Sequence, residues 1–293
     1  MTGQKTLYLS LIIATVAVSW ASIFIKMSGA GPIPAAFYRM AIASVILAGP
    51  AIRNFKSSHR LLDFKEKLLM VISGLVLGLH FATWVTSLFY TTISNSVILV
   101  ATQPIWVLFM ERLFFKTKIT FTAVTGTFIA LAGMILIAHG DFDLGREFII
   151  GDLLALAGAL FAGIYLIIGR RLRTKLNNVN YIFPVYTVAA LLLLFIGLVK
   201  NENMTDFSSF TWIMFVLLAI IPTVVGHSLY NWLLKYVSAH KVATTILGEP
   251  IGATILAIIF FDQIPGWWTV IGGILILGGI FIVLRKKKER PAL

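Results

Sequence analysis

Glu249 and Pro250 stand in the otherwise apolar stretch TILGEPIGATILAIIFF (245–261), where Glu249 is the sole ionisable group. A charge at the centre of a hydrocarbon-embedded helix costs roughly 3 kcal/mol, so an acid in such a place is a functional candidate by default. A carboxylate there can hold a substrate amine or carry a coupling proton; it can equally hydrogen-bond backbone freed by the proline. His80 and Trp84, in LHFATW (79–84), are four residues apart and share a helical face. Imidazole and indole side by side suit a carboxylate and an apolar group, respectively. Arg39, next to Tyr38, is a natural clamp for carboxylate or phosphate if it faces a cavity, and otherwise reaches out to the interface.

Further candidates are less specific. His227, Tyr230 and Asn231, in VVGHSLYNW (224–232), make one polar face. Hydrogen bonding between helices explains that face as well as a transport route does. Gln103 precedes Pro104 as Glu249 precedes Pro250. Trp20, Trp84 and Trp106 lie deep enough to wall a cavity, whereas Trp212, Trp232, Trp267 and Trp268 fit interfacial belts. Lys26 reads as snorkelling at a span end or facing an external mouth, and Glu111, beside Arg112, reads as interfacial.

The elements that position these groups must be membrane spans. Hydrophobic residues make up 59% of the 293 positions and charged residues 12%, about half the charged share of soluble proteins. Apolar runs near the roughly 20 residues needed to cross a bilayer recur from Leu7 to Leu284, too long for barrel strands. The expected fold is an all-α integral membrane protein with ten transmembrane helices, at 7–27, 34–52, 68–91, 95–115, 120–139, 151–170, 181–199, 211–234, 240–261 and 267–285. The first run, which lacks a small-residue cleavage site leading into a soluble domain, reads as a span rather than a signal peptide.

With the N-terminus taken as cytoplasmic, 20 of the 24 lysines and arginines fall on inside segments, only Arg146 and Lys200 fall outside, and Lys26 and Arg39 lie in spans. This asymmetry predicts both termini inside. It also assigns the net charge of +12 to topology and anionic lipid rather than to nucleic acid. With no cysteine, no thiol site for a metal or redox centre exists.

Shifting the sequence by 146 residues lays Pro104 on Pro250, Gly126 on Gly272 and Gly133 on Gly279, with Tyr90 falling on Tyr236. Five spans per copy is odd, so the copies, 1–147 and 148–293, enter the membrane from opposite faces as inverted five-helix repeats. Such repeats suit alternating access. Pro104 and Pro250 then lie about 14–15 Å deep, near the midplane, and are expected to kink their helices there. Gly126, Ala130, Gly133, Gly272, Gly273, Gly278 and Gly279 predict close helix packing and leave a homodimer face open.

This pattern resembles the drug/metabolite transporter superfamily, and within it the bacterial EamA family. The likeness rests on SWASIFIKMSGAGPIPAAFYRMAIA (19–43), NSVILVATQPIWVLF (95–109), HKVATTILGEPIGATILAIIFF (240–261) and GGILILGG (272–279). Thr117 and Gln263 stand where many members carry the glutamate of a Gly-Glu pair. The resemblance implies an inner-membrane exporter of amino acids or similar small metabolites that needs no cofactor. Proton coupling would fall to Glu249 and the two deep histidines, as no phosphate-binding loop for ATP is present. A nucleotide-sugar or sugar-phosphate exchanger is a second reading, weakened by the scarcity of deep cations. A lipid-head-group enzyme is a third, for which neither H-E-x-x-H nor G-x-S-x-G is present.

Overall fold

The computed structural model describes residues 3–59, 62–91, 96, 99–138, 146–261 and 267–284, and its described regular elements are all helical. They are α1 (Gln4–Ser19), α2 (Ala21–Ser28), α3 (Pro32–His59), α4 (Phe64–Ser87), α5 (Gln103–Phe115), α6 (Phe121–Ala138) and α7 (Arg146–Leu172). There follow α8 (Asn178–Val199), α9 (Ser209–Leu218), a wide π-helical stretch (Ala219–His227), α10 (Ser228–Leu233), α11 (Ala239–Ile246), α12 (Glu249–Phe261) and α13 (Trp267–Leu284). Seven helical runs among the described residues are long and apolar enough to cross a membrane: Gln4–Ser28, Pro32–Arg53, Phe64–Ser87, Ile149–Leu172, Asn178–Val199, Ser209–Leu233 and Ala239–Phe260. Phe121–Gly133 and Val270–Leu284 are shorter apolar helices. The three other expected crossings thus fall on α5, α6 and α13, each adjoining residues outside the described set. Gln263 also lies outside the described residues.

Helix starts follow local sequence. Asp63 and Glu66 form a reciprocal capping box at α4, the Glu66 N–H donating to Asp63 at 2.7 Å and the Asp63 N–H to Glu66 at 3.2 Å. Asn177 and Ser208 cap α8 and α9 in the simpler way, accepting from backbone N–H groups three residues on.

Several expected continuous spans are interrupted, each for an identifiable reason. The first breaks at Trp20, where the Ser19 hydroxyl donates to Thr15 O at 2.8 Å and to Glu249 O at 3.1 Å. In the eighth, Pro222 has no N–H to give Leu218 O. The Thr223 hydroxyl takes its place at 2.9 Å, and the Ser228 N–H bonds five residues back to Thr223 O, so the helix widens.

Contrary to the expectation from sequence, Pro104 and Pro250 do not kink continuous helices. Each lies in the first turn of a new helix, a position where its missing N–H is no loss. The chain turns tightly just before them. Thr102 N bonds to Leu99 O at 3.1 Å and Ile105 N to Thr102 O at 3.0 Å; Gly248 N bonds to Thr245 O at 3.0 Å and Ile251 N to Gly248 O at 3.2 Å. The two sets of bonds are 146 residues apart.

The main core joins α1–α5 with α7–α11. Of the remaining three helices, α6 and α13 pack on each other and meet the two turns through a smaller cluster of Ala101, Ala130, Leu131, Leu247 and Ile276, against which Ile251 of α12 also packs. Ala101 and Leu247, and Ala130 and Ile276, are again 146 apart. At this crossing Gly126 lies against Gly279 and Val283, and Gly133 against Gly272 and Ile276. Gly273 and Gly278 meet nothing there. Five of the seven small residues expected to permit close packing, Gly126, Ala130, Gly133, Gly272 and Gly279, therefore do so within the chain. Gly279→Val, whose Cβ would run into the backbone of Gly126 and Ala130, is expected to destabilise the protein by about 1–3 kcal/mol in detergent thermal unfolding. Gly278→Ala should leave the midpoint unchanged.

Candidate functional site

A single cavity of about 60 Å³ brings together Arg39, His80, Trp84, Gln103, His227, Tyr230, Asn231, Glu249 and Pro250. These residues come from α3, α4, the π-helical stretch, α10 and the first turns of α5 and α12. Breaking the two spans is what points Gln103 and Glu249 inward, because each opens a half-helix beside the cavity. Apolar walls are supplied by Val18, Leu77, Val100, Ala162 and Leu166.

Arg39 is fully buried. Its Nε donates to the Thr223 hydroxyl at 3.0 Å, and its guanidinium carbon lies 4.1 Å from the Phe81 ring centroid, well inside the range of a cation–π contact. Both terminal nitrogens, Nη1 and Nη2, lack a hydrogen-bond partner among the described residues. No ion pair joins Arg39 to Glu249, although they line the same cavity. The Trp84 indole N–H and the Asn231 side-chain oxygen are likewise buried and unpaired. The site therefore holds free donors, a free acceptor and a half-buried carboxyl group.

His80 Nδ1 lies 2.9 Å from Gly158 O. A carbonyl only accepts, so Nδ1 carries the proton and Nε2 is left to titrate or to bind. The ring runs parallel to Trp84 at 6.0 Å between centroids, as the four-residue spacing predicts. Tyr230 shares a 2.8 Å hydrogen bond with Thr15, and Asn231 donates to the Tyr165 hydroxyl at 2.5 Å and to His227 O at 2.8 Å. Thr223, Phe81 and Tyr165 were not expected from sequence, since none of them carries a formal charge at neutral pH. A polar residue directly after the mid-span Pro222 was the available signal for Thr223.

Three expected pathway residues, Tyr38, Trp20 and Trp106, lie elsewhere. Tyr38 bonds to Met204 O at 2.5 Å and joins Phe207, Trp212 and Phe215 in an aromatic cluster at the end opposite the basic loops. One helical step of about 100° separates its direction from that of Arg39. Trp20 stacks on Phe24 and meets Phe260 edge-on, and Trp106 is 38% exposed on the outer face. Pro104 starts α5 without lining the cavity. Lys26 lines a separate recess of about 230 Å³ with Leu88 and Phe89.

Glu111 is not interfacial. It is 2% exposed and forms an ion pair with Arg170, accepts from the Ala239 N–H at 2.6 Å, and meets His240 Nδ1 at 3.0 Å. An acid at the start of α11 is well placed against the helix dipole, and it occupies the role left open by Ser238, whose side chain makes no cap bond. Glu111 thus ties α5, α7 and α11 together at the basic end.

Two stretches of the chain, residues 7–139 and 149–285, each match the EamA-like transporter family. The chain belongs to that family. This EamA-like protein is accordingly a multi-pass membrane transporter of the drug/metabolite transporter superfamily and not an enzyme. It is 27% identical to "Uncharacterized transporter YdfC" of Bacillus subtilis (strain 168), over 97% of this chain and 94% of that one. It is 23% identical to an "Uncharacterized transporter" of Archaeoglobus fulgidus, over 95% and 98% of the two chains. A mouse protein, "Solute carrier family 35 member G1", is 24% identical over 64% of this chain and 53% of its own length. A solved structure described as "Crystal structure of protein" has the same fold, with a TM-score of 0.80, 17% identity and coverage of 96% and 97%.

Two substitutions probe the supports of the site. Thr223→Val strips the acceptor from Arg39 Nε and the donor from Leu218 O, and should lower stability in detergent by about 1–3 kcal/mol, with Thr223→Ser close to the parent. Glu111→Ala leaves Arg170 and the Ala239 N–H without their acceptor and should cost about 3 kcal/mol in the same measurement.

Proposed function

We propose that this EamA-like protein is a secondary transporter that works by alternating access and exports amino acids or related small metabolites, with a proton as the coupling ion. The observation that carries this reading is the cavity's pairing of opposite chemistries. Arg39 offers two free terminal guanidinium nitrogens suited to a carboxylate, and Glu249 offers an acid suited to an ammonium group. Trp84 and the apolar walls would receive the side chain. Arg39 and Glu249 come from opposite halves of the chain, so a zwitterion would bridge them.

The cavity volume supports a moving mechanism. About 60 Å³ is far below the roughly 300 Å³ at which ligand pockets begin, so the walls must separate to admit a metabolite. The proposed architecture is ten spans in two inverted repeats, 1–147 and 148–293. The double family match, the paired turns before Pro104 and Pro250, and the self-matching α6–α13 crossing support it. In this reading both termini face the cytoplasm across the inner membrane, as the charge distribution requires. Glu249 or the free Nε2 of His80 would carry the proton.

Counterflow in proteoliposomes with a panel of labelled amino acids, with and without an imposed pH gradient, tests the proposal. Arg39→Gln should raise the half-saturation concentration at least about tenfold for carboxylate-bearing substrates, the size expected when one charged hydrogen-bonding partner is lost. Glu249→Gln should abolish the response to the pH gradient. Transport unchanged in rate and pH response by Glu249→Gln would sink the assigned role of that residue.

A further inference from the structure

A second, larger opening lies away from the central cavity. It is an apolar groove of about 650 Å³ between α1 on one wall and α11–α13 on the other. Its sides include Ile12, Ile255 and Leu277, all exposed and all on apolar helices. Four hydroxyls line it, and each is satisfied within the protein: Tyr8 bonds to Leu284 O, Thr15 to Leu11 O, Ser19 to Thr15 O and Thr245 to Lys241 O. The lining therefore asks for no polar ligand.

We infer that this groove binds one acyl chain of an anionic phospholipid from the leaflet on the basic side. Its walls belong to two helical runs long and apolar enough to cross a membrane, Gln4–Ser28 and Ala239–Phe260, and to the shorter apolar helix Val270–Leu284, so hydrocarbon is the medium that reaches it. Its length selects a single leaflet. On α1 it runs from Tyr8 to Ser19, about 17 Å of helix, against the roughly 15 Å of one half of the hydrocarbon core. The polar rim is at one end only, where the Tyr8 hydroxyl donates to Leu284 O at 3.2 Å and Gln4 donates to the Tyr8 hydroxyl at 3.1 Å. Lys5 is exposed beside them, and the sequence continues after Leu284 with Arg285, Lys286, Lys287 and Lys288. Lys5 at that end, together with the basic residues that follow Leu284 in sequence, complements a phosphate head group with a net negative charge.

The groove also touches the transport cavity. Thr15, which lines the groove, hydrogen-bonds Tyr230, which lines the cavity, at 2.8 Å. Ser19 lies in the groove and donates to the backbone carbonyl of Glu249. A lipid seated here lies one side chain away from both.

Native mass spectrometry of the full chain in detergent, supplied with phosphatidylglycerol or phosphatidylcholine, tests the inference. The unsubstituted protein should retain one phosphatidylglycerol and little phosphatidylcholine. Ile12→Trp and Ile255→Trp, which fill the groove from its two walls, should weaken phosphatidylglycerol retention about tenfold through lost chain contacts. Val45→Trp, on an exposed position of α3 away from the groove, should not. Equal retention by the groove variants and Val45→Trp overturns the site. Equal retention of the two lipids by the unsubstituted protein, a comparison that needs no variant, overturns the anionic assignment.

Discussion

A guanidinium group cannot lie bare in a membrane interior, and much of this fold is arranged around that constraint at Arg39. Three of its surroundings answer the charge: the Thr223 hydroxyl at Nε, the face of Phe81, and a cavity that also contains Glu249. The first depends on backbone geometry rather than on composition. Thr223 reaches both Arg39 and Leu218 O because Pro222 has released that carbonyl and the helix has widened by one residue per turn. A regular α-helix would leave Leu218 O without a backbone donor, because the residue four on is Pro222, and would turn Thr223 elsewhere. The wide turn and the buried cation are therefore one device, and the guanidinium is held at its base while its two terminal nitrogens stay open.

Hydrocarbon also explains the form of the two central interruptions. Backbone groups at membrane depth must be paired or lie in protein. At residues 101–102 and 247–248 the pairing passes to three-residue turns, after which proline restarts the helix where no donor is needed. Both turns are covered by α6 and α13, through contacts of Ala101 and Leu247 with Ala130 and Ile276. The helix pair that crosses through its glycines is thus the support on which the two half-helices rest, and they in turn present Gln103 and Glu249. The two turns repeat their backbone bonds at an offset of 146 residues, while the side chains that follow them differ, an amide at Gln103 and an acid at Glu249.

Much of this was legible in the sequence, for reasons that residue type makes plain. Helical character and the offset of 146 follow from apolar run lengths and from prolines and glycines, whose backbone effects do not depend on neighbours. Glu249, Arg39 and His80 stood out because burial of such groups is expensive wherever it occurs. What failed was anything that depends on azimuth or on partners. Tyr38 and Arg39 are adjacent and face different surroundings, and no spacing rule says which faces in. Trp20 and Trp106 have the depth of cavity residues and the direction of packing residues. Glu111 looked interfacial because position along a span is readable from sequence, whereas Arg170 and the Ala239 N–H come 59 and 128 residues later. Proline announced an interruption but not its form, since kink and restart share the same missing donor.

The two ends of the bundle are closed by different interactions. At the basic end Glu111 joins Arg170, His240 and the start of α11, and Lys175 pairs with Glu66 at 2.6 Å. At the opposite end four described ties are hydroxyl bonds: Thr91 to Asp152 at 2.9 Å, Ser87 to Ser96 at 2.5 Å, Thr211 to Ser28 O at 2.8 Å and Tyr38 to Met204 O. These closures differ in what separation would leave behind. Hydroxyls parted near the interface are rehydrated at little cost, since each exchanges one hydrogen bond for another with water. Parting Glu111 from Arg170 exposes a carboxylate at 2% accessibility to water and removes the cap of α11, so the hydration gained must offset both ion pair and cap. Lys175, with 47% of its side chain already exposed, adds little to that barrier. The cost of opening the basic end is therefore concentrated in one carboxylate, on the same helix whose first residue, Gln103, lines the cavity.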